Sequence, residues 1–376
     1  MPQDENKSLM PGEHSGFVAV DPVDTDWVSG AETGIIDTPR IPTGDWRPFL
    51  TAGKWQRFFW SSGSLETDAC VSFSALDGLQ AFMNWMVANN QYPASDVAWL
   101  KANGYFDAEG KISFSPRFTA KMSGTTLNGN SLPAVAASLR HDGAVPAKAW
   151  DAPIEQLQAI VGSAQKAAWD IYYADPGAAN IALGQAFALR FDVQYEWIAY
   201  PAAPLTMEQF QQKLQASPLQ IATAVCPPWN TPEVLQACGA GTAHATLMDN
   251  VEPTNFDIRD HYEPFDKRFA SDYTITYAMR VVAASKNYQA PHFNYTFNKD
   301  LQLGMTDPDV TKLQDALKFD GVFPLAVQST GYYGPITKKA VGDYQIKHGV
   351  LAAPTDPGYG RCGPMTRKAL NAQFSQ

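Results

Sequence analysis

Apolar residues recur at three- and four-residue steps after Asp68, and this spacing predicts one long helix over residues 70–90. The apolar positions that carry the pattern are Val71, Ala75, Leu79, Phe82, Met83 and Met86. Asp68 stands just before the run and is a natural N-cap, while Asn89 and Asn90 are expected to end the helix. Residues 91–185 continue as a mixture of short helical stretches and loops.

The pattern changes in residues 185–290, where polar and apolar side chains alternate over short stretches typical of strands. A short helix, TMEQFQQKLQAS, interrupts these strands. The predicted strands lie within residues 191–200, 218–225, 244–251, 256–265 and 273–279. Because helices come early and strands late, the order predicts an α+β fold instead of a series of βαβ units.

Two further segments flank this body, which we place at residues 46–290. Residues 1–45 are rich in Pro, Gly and Asp without lasting periodicity, so an extended N-terminal arm is expected. Residues 291–300 are expected to form a linker to a small domain at residues 301–376. That domain contains three predicted helices, in DPDVTKLQDALKFDG, PITKKAVGDYQIKHG and PMTRKALNAQF.

Composition and charge narrow the class of protein. Hydrophobic residues make up 45% of the 376 residues and charged residues 18%, which excludes a mostly disordered chain. The formal net charge is −10 and no Lys/Arg run occurs, which argues against a nucleic-acid partner. Residues 298–376 carry 9 Lys+Arg against 7 Asp+Glu, so the acidic excess lies in the rest of the chain. Every apolar run is shorter than the about 20 residues of a membrane span.

The chain has 4 cysteines, too few for a scaffold built on disulfides. No Cys-x-x-Cys occurs, so a structural zinc site is not expected. Cys226 and Cys238 flank a Pro-Pro turn and are 12 positions apart. Whether they form a disulfide stays open at this point, because spacing does not fix geometry.

The N-terminal sequence MPQDENKSLMPGEH lacks the basic and apolar regions of a signal peptide. It does contain Glu13 and His14, and His14 with Asp21 has the spacing of one ligand pair of zinc peptidases. Such a site needs a further histidine, usually in a His-x-His pair or near a catalytic Glu, and the chain has no His-x-His. We therefore expect neither a metal ion nor another cofactor.

The C-terminal domain contains an internal repeat, Gly331–Ala340 and Gly358–Ala369. In each copy a Gly-Pro pair precedes a threonine and a basic helix, and Pro is favoured at a first helical position. The repeat is equally typical of two similar helix starts in a structural bundle. Together with DVTKLQDAL and TRKALN, however, it resembles the peptidoglycan-binding domain of bacterial and phage cell-wall hydrolases. This resemblance implies a three-helix module that binds bacterial peptidoglycan and does not catalyse.

Candidate chemistry begins with Cys70, whose sulfur is expected near the positive end of the helix dipole, where the thiolate is favoured. A thiolate nucleophile needs a histidine to hold its proton and a third group to orient the ring. His244 enters a predicted strand from a loop of small residues, and Asp260 ends the next strand. Antiparallel pairing would bring them together. Taken singly, the three are also typical of a buried cysteine, a core histidine and a turn aspartate.

The sequences CVSFS at Cys70, HATL at His244 and DHY at Asp260 resemble the motifs of papain-like cysteine peptidases, over roughly residues 45–290. The resemblance implies a helical half and an antiparallel β half. It also implies that Cys70 is the nucleophile, His244 the acid and base, and Asp260 the orienting group. The family usually has Asn in this third position, and divergent phage and bacterial relatives carry Asp-Ser-Tyr there.

The chain departs from the family at the oxyanion hole. Papain-like enzymes place a glutamine six residues before the cysteine, where this chain has Ser64. The nearest upstream glutamine is Gln56, which we assign to the oxyanion across a longer intervening loop. Ser64 or Thr67 is the alternative. One lost oxyanion donor costs on the order of 3 kcal/mol in the activation barrier.

These resemblances imply an endolysin-like cell-wall hydrolase that cleaves peptide bonds of peptidoglycan and is anchored by its C-terminal module. The expected partner is bacterial peptidoglycan, with no nucleic acid and no membrane span, and the protein is expected to be monomeric. We expect a phage-encoded protein that reaches the host wall from the cytoplasm or with the virion. Two alternatives stay open: a papain-like protease acting on proteins, as in virion maturation, and an inactive wall-binding protein.

Overall fold

The structure is a computed structural model. It describes residues 16–23, 26, 28, 39–60, 63–160, 165–238, 242–285, 295–320, 322–323, 327 and 329–374. The chain divides into two compact units. The first comprises Met1–Asp21 with Asp37–Ala283, and the second comprises Pro22–Ile36 with Ala284–Gln376. The predicted boundaries of arm, body, linker and small domain remain predictions.

Helices dominate the earlier part of the first unit and strands the later part. Its helices are α1 (Cys70–Ala88), α2 (Ala94–Ala102), α3 (Pro116–Met122), α4 (Leu132–His141), α5 (Ile154–Gln158), α6 (Gln165–Tyr172), α7 (Gly177–Arg190) and α8 (Met207–Leu214). The strands are β1 (Arg57–Trp60), β2 (Gly63–Glu66), β3 (Phe191–Ala199), β4 (Leu219–Val225), β5 (Val234–Leu235), β6 (Thr242–Glu252), β7 (Asn255–Arg259), β8 (Asp266–Ala270) and β9 (Ile275–Ser285). This order confirms the α+β prediction.

The strands form a two-stranded sheet, β1-β2, and a seven-stranded sheet in the order β3-β9-β4-β6-β7-β8-β5. Strand β4 pairs antiparallel with both β6 and β9, and β7 pairs antiparallel with β6 and β8. The short β5 runs parallel to its neighbour β8. Consecutive strands β6, β7 and β8 are therefore joined by tight connections, which bring sequence neighbours side by side.

Helix α1 is the predicted helix over residues 70–90, and every residue from Cys70 to Asn84 is buried. Its end is as predicted, since Asn89 is the C-cap and Asn90 adopts a left-handed φ of 54°. The predicted N-cap is wrong. Ala69 holds that position, no side chain caps the helix, and Asp68 lies in the left-handed region at φ 50°. The chain thus turns sharply just before Cys70, and the turn carries the Asp68 side chain away from a capping position.

The second unit contains α9 (Pro308–Phe319), α10 (Pro335–Lys347) and α11 (Pro364–Phe374). These helices confirm the three predicted segments. Each starts with proline at its first position, where the missing N–H leaves no hydrogen bond unmade.

The internal repeat has a structural cause. Gln314 of α9 donates to Tyr332 O at 2.8 Å and Thr337 Oγ1 at 2.9 Å, and it accepts from Gly331 N at 3.1 Å. One glutamine side chain therefore fixes the whole turn that leads into α10.

The second copy repeats this arrangement one helix later. Gln345 of α10 donates to Arg361 O at 2.9 Å and Thr366 Oγ1 at 2.8 Å, and it accepts from Gly360 N at 2.8 Å. Each helix thus holds the turn that begins the next one. The Gly-Pro-x-Thr repeat is required by the fold itself, whatever the domain binds.

Candidate active site

Cys70 is the first residue of α1 and is fully buried. The first turn of the helix is tied to the sheet by Gln220 of β4, which donates to Val71 O at 2.8 Å and Ser74 Oγ at 2.9 Å. Ser74 in turn donates to Cys70 O at 2.8 Å. The sulfur is therefore attached to a turn whose position relative to the sheet is fixed by buried hydrogen bonds.

His244 and Asp260 are brought together by the register of the sheet. His244 lies on β6 opposite Thr223 of β4, and Asp260 directly follows β7, whose Arg259 pairs with Leu247 of β6. His244 Nε2 and Asp260 Oδ1 are 2.8 Å apart, and both side chains are fully buried. The juxtaposition predicted from the two strand segments is present.

The ring of His244 is shared between Asp260 and Cys70. Because Asp260 occupies Nε2, Nδ1 is the nitrogen left for the sulfur. Burial lowers the pKa of His244, but the charges of Asp260 and Cys70 and hydrogen bonds to both raise it to about 10. The surroundings therefore favour an imidazolium, which is the form that stabilises a neighbouring thiolate.

Asp260 has more partners than the sequence indicated. Its Oδ2 accepts from Trp229 Nε1 at 2.8 Å and lies 2.9 Å from Lys267 Nζ. Burial raises the pKa of Asp260, but Lys267 and then His244 lower it well below its usual value. The Trp229 ring also stands edge-on to His244, with centroids 5.6 Å apart. Asp260 is thus held ionised in a site from which these side chains exclude water.

Sequence reasoning missed the roles of Trp229 and Lys267. A tryptophan in the loop between Cys226 and Cys238 carried a weak signal, because a polar-tipped aromatic on a short closed loop is positioned for a specific contact. Lys267 carried none, since a lysine in an alternating strand is most often solvent-exposed.

The pairing of Cys226 with Cys238, which the sequence left open, is present as a disulfide. It closes the loop that carries Trp229 across the Asp260 carboxylate. The bond therefore constrains one wall of the site.

We expect the double variant Cys226→Ser/Cys238→Ser to lower the free energy of unfolding by roughly 2–3 kcal/mol, because the bond closes a short loop in the unfolded chain. Urea unfolding of the variant and the oxidised parent measures the difference. Reduction of the parent should reproduce it. Equal midpoints for all three proteins would show that the bond adds no stability.

Gln56 lies 14 residues before Cys70, and the structure accounts for the extra length. The hairpin β1-β2 projects between them, and Thr67 Oγ1 donates to Gln56 O at 2.9 Å, so the ends of the hairpin meet. Ser64 lies within the hairpin, opposite Phe59. The longer loop predicted from the sequence is therefore a hairpin whose two ends lie next to each other.

The Gln56 amide belongs to a buried network. Its Nε2 donates to Glu66 Oε1 and to Tyr262 OH, each at 3.0 Å, and Tyr262 OH donates to Glu66 Oε2 at 2.8 Å. Burial raises the pKa of Glu66, and the hydrogen bonds from Gln56 and Tyr262, which lower it, offset only part of this rise. The oxyanion role of Gln56 stays a prediction, and it requires one amide hydrogen to turn from this network toward the substrate.

The raised pKa of His244 has a consequence for the pH profile. A histidine with a pKa of about 10 keeps its proton at alkaline pH and loses it as the pH rises through that value. We expect kcat/KM for peptide cleavage to hold to about pH 9 and to fall near pH 10, where the imidazolium is lost. Circular dichroism at each pH controls for unfolding. A fall centred near 6.5, the ordinary value for histidine, would contradict the assigned environment.

The zinc alternative rests on residues at the N-terminus. Glu13 and His14 lie outside the described residues, and Asp21 Oδ1 accepts a hydrogen bond from Tyr277 OH at 2.9 Å. Within the described part of the chain, no group of three His, Cys, Asp or Glu side chains is arranged to hold a metal ion. The same part contains no helix long and apolar enough to cross a membrane.

The C-terminal part of the chain is similar to a known protein family. Residues 306–370 match the family model of a peptidoglycan binding domain. No curated protein matches the chain in sequence.

Solved structures of cysteine proteases are similar in fold. Xylellain from Xylella fastidiosa is 16% identical with a TM-score of 0.43, over 72% of this chain and 96% of that one. Bromelain from Ananas comosus, solved with the E64 inhibitor, is 11% identical with a TM-score of 0.39, over 63% and 97%. The ragweed pollen allergen Amb a 11 in its proform is 12% identical with a TM-score of 0.42, over 67% of each chain.

The α+β unit is similar in fold to these cysteine proteases, and residues 306–370 are similar to peptidoglycan binding domains. The site itself consists of a cysteine that begins a buried helix and of a buried His-Asp pair.

Proposed function

We propose that the protein is a cell-wall hydrolase that cleaves peptide bonds of peptidoglycan by a thiol mechanism and is anchored by its C-terminal domain. The observation that carries the proposal is the fully buried contact of 2.8 Å between His244 and Asp260, on a ring whose pKa is also raised by Cys70. A likeness of residues 306–370 to peptidoglycan binding domains supports the choice of substrate.

In the first half of the reaction, the Cys70 thiolate attacks a peptide carbonyl carbon. The oxyanion that forms is held by the backbone N–H of Cys70 and by the Gln56 amide. The C–N bond then breaks, and His244 transfers its Nδ1 proton to the leaving amine. A thioester between Cys70 and the acyl group remains.

In the second half, neutral His244 removes a proton from water, which attacks the thioester carbonyl. The carboxylic acid leaves, and the proton on His244 restores the imidazolium beside the thiolate. Asp260 stays ionised throughout and keeps Nε2 protonated, so that Nδ1 always faces the reacting atoms.

A wall-binding domain on the same chain changes the kinetics without adding any contact at the sulfur. Once the domain holds the polymer, peptide cross-links meet the catalytic unit at an effective concentration set by the tether. Cleavage of intact wall should therefore exceed cleavage of the same peptide free in solution.

The test is to incubate purified peptidoglycan with the protein and to analyse the released fragments by mass spectrometry. New free amines at one peptide bond support the proposal and identify that bond. Cleavage of casein without release from the wall would favour the alternative, a protease acting on proteins as in virion maturation. Sedimentation with the wall without cleavage of either substrate would indicate an inactive wall-binding protein. The proposal includes a phage-encoded origin, with action on the host wall.

A further inference from the structure

Lys267 on β8 is a lysine buried to 2% exposure beside the candidate active site. Its Nζ lies 2.9 Å from Asp260 Oδ2, donates to Pro264 O at 2.5 Å and also donates to Tyr262 O. An ammonium has three donors and no acceptor, so these three contacts use its full capacity. The group also lies 5.6 Å from the centroid of the Trp229 ring. Lys267 is therefore fixed in place and not a mobile surface cation.

The position of this cation matters because the orienting group is a carboxylate. Papain-like peptidases, which this part of the sequence resembles, usually have a neutral asparagine as the orienting group. A thiolate at 70, an imidazolium at 244 and a neutral third group sum to zero charge. With Asp260 alone the sum is −1, in a buried site where an unbalanced charge is costly. The ammonium of Lys267 returns the sum to zero.

We propose that Lys267 is a positioning residue of this site: it fixes Asp260 Oδ2 and balances the carboxylate charge, so that His244 remains able to release its proton. The inference rests on the proposed function, because proton release matters only if His244 serves a thiol mechanism. Lys267 itself does not touch the reacting atoms.

Lys267 acts on His244 through the Asp260 carboxylate that both groups contact. Asp260 Oδ1 faces His244 and Oδ2 faces Lys267, so one carboxylate lies between two cations. A carboxylate that binds only the imidazolium stabilises it more strongly, and a more basic imidazolium gives its proton to the leaving amine less readily. Lys267 weakens that hold through the shared carboxylate.

Other titratable groups surround the pair and must be held constant in any test. Cys70 faces His244 from α1, and His261 lies beside both His244 and Asp260 after β7. Glu66 and Tyr262 lie further out, and the Tyr262 hydroxyl donates to Glu66. Asp77 and Arg259 also lie further out, and their charges shift the pKa of His261 in opposite directions. A substitution at Lys267 changes none of these residues, and of their contacts it removes the hydrogen bond to Tyr262 O.

The direct test measures the ionisation of His244 in the full-length protein by NMR of ¹⁵N-labelled histidine, which needs no substrate. In Lys267→Gln, which keeps a polar side chain but removes the charge, the midpoint of His244 titration is expected to rise by about one pH unit, tenfold in the proton-binding constant. The matched control is Arg280→Gln, which removes another buried cation, paired with Glu196 at 2.5 Å. An unchanged midpoint in Lys267→Gln, or an equal shift in both variants, would overturn the proposal.

A double-variant cycle provides a second, independent readout, including the case in which Lys267→Gln does not fold. Asp260→Asn leaves the Lys267 ammonium buried without its carboxylate, whereas Asp260→Asn/Lys267→Met restores a neutral pair. If Lys267 balances Asp260, kcat/KM of the double variant exceeds that of Asp260→Asn by tenfold or more. The cycle also needs Lys267→Met alone. A double variant whose loss of kcat/KM equals the product of the losses in Asp260→Asn and Lys267→Met would overturn the proposal. If no variant or parent cleaves peptidoglycan, the proposed function fails, while the NMR midpoint still decides the role of Lys267.

Discussion

Cys70→Ala is expected to abolish cleavage of peptidoglycan peptides, with kcat/KM lowered by at least about 10⁴-fold, while the protein still sediments with the wall. The methyl side chain cannot form the thioester, and the His244-Asp260 pair has no nucleophile to activate. A loss of about 10⁴-fold corresponds to about 5.5 kcal/mol in the activation barrier. Binding is expected to persist because the residues that match a peptidoglycan binding domain are untouched.

The chain supplies its own control for this experiment, since Cys362 is the other free cysteine in the described residues. Burial raises the pKa of Cys362 to about 12, so it stays a thiol at any ordinary pH. Cys362→Ala should leave the rate of cleavage within about twofold of the parent. Cleavage that survives Cys70→Ala but disappears in Cys362→Ala would move the nucleophile to the second unit and end the proposed mechanism.

The sequence pattern predicted those features that depend on contacts between residues close to one another in the chain. His244 on β6 and Asp260 just after β7 are 16 positions apart, so antiparallel pairing of the two predicted strands was enough to suggest that they meet. The three C-terminal helices were equally accessible, because proline marks each of their starts. In both cases the relevant contacts lie within one supersecondary unit.

The rest depended on contacts between distant segments. Helix α1 was predicted, but it is buried on every face over its first fifteen residues, Cys70–Asn84, and its pattern did not show which contacts cover it. Gln56 reaches Tyr262 across 206 positions, and no spacing rule predicts such a pair. The hairpin β1-β2 is too short to give a recognisable sequence pattern. Helices α3 and α4, and most of α7, lie in residues 91–185, for which the sequence predicts only a mixture of helices and loops.

The predicted N-cap of α1, Asp68, lies where a capping carboxylate would interfere with the proposed mechanism. A capping aspartate would place its carboxylate over the first N–H groups of α1, where the proposed mechanism needs an oxyanion to bind. Asp68 instead adopts a left-handed backbone, and burial together with the Glu66 charge raises its pKa to about 8. Below about pH 8 this carboxyl therefore adds little negative charge near the helix start, which agrees with a site that receives negative charge from the substrate.

His244→Ala is expected to lower kcat/KM by about 10³- to 10⁴-fold, because it removes both the partner of the thiolate and the proton donor for the leaving amine. The pH profile should change as well as the rate. In the parent, activity falls as the imidazolium is lost near pH 10. Without His244 the thiolate must form by loss of a proton to solvent, so the residual activity should rise with pH over the same range.

This reversal separates a chemical role of His244 from a structural one, because a merely destabilised site would lose activity and keep the shape of its profile. The matched control is His141→Asn, an exposed histidine at the end of α4, which should keep both the rate and the fall near pH 10. If His244→Ala retains activity within tenfold of the parent, another group holds the Cys70 proton.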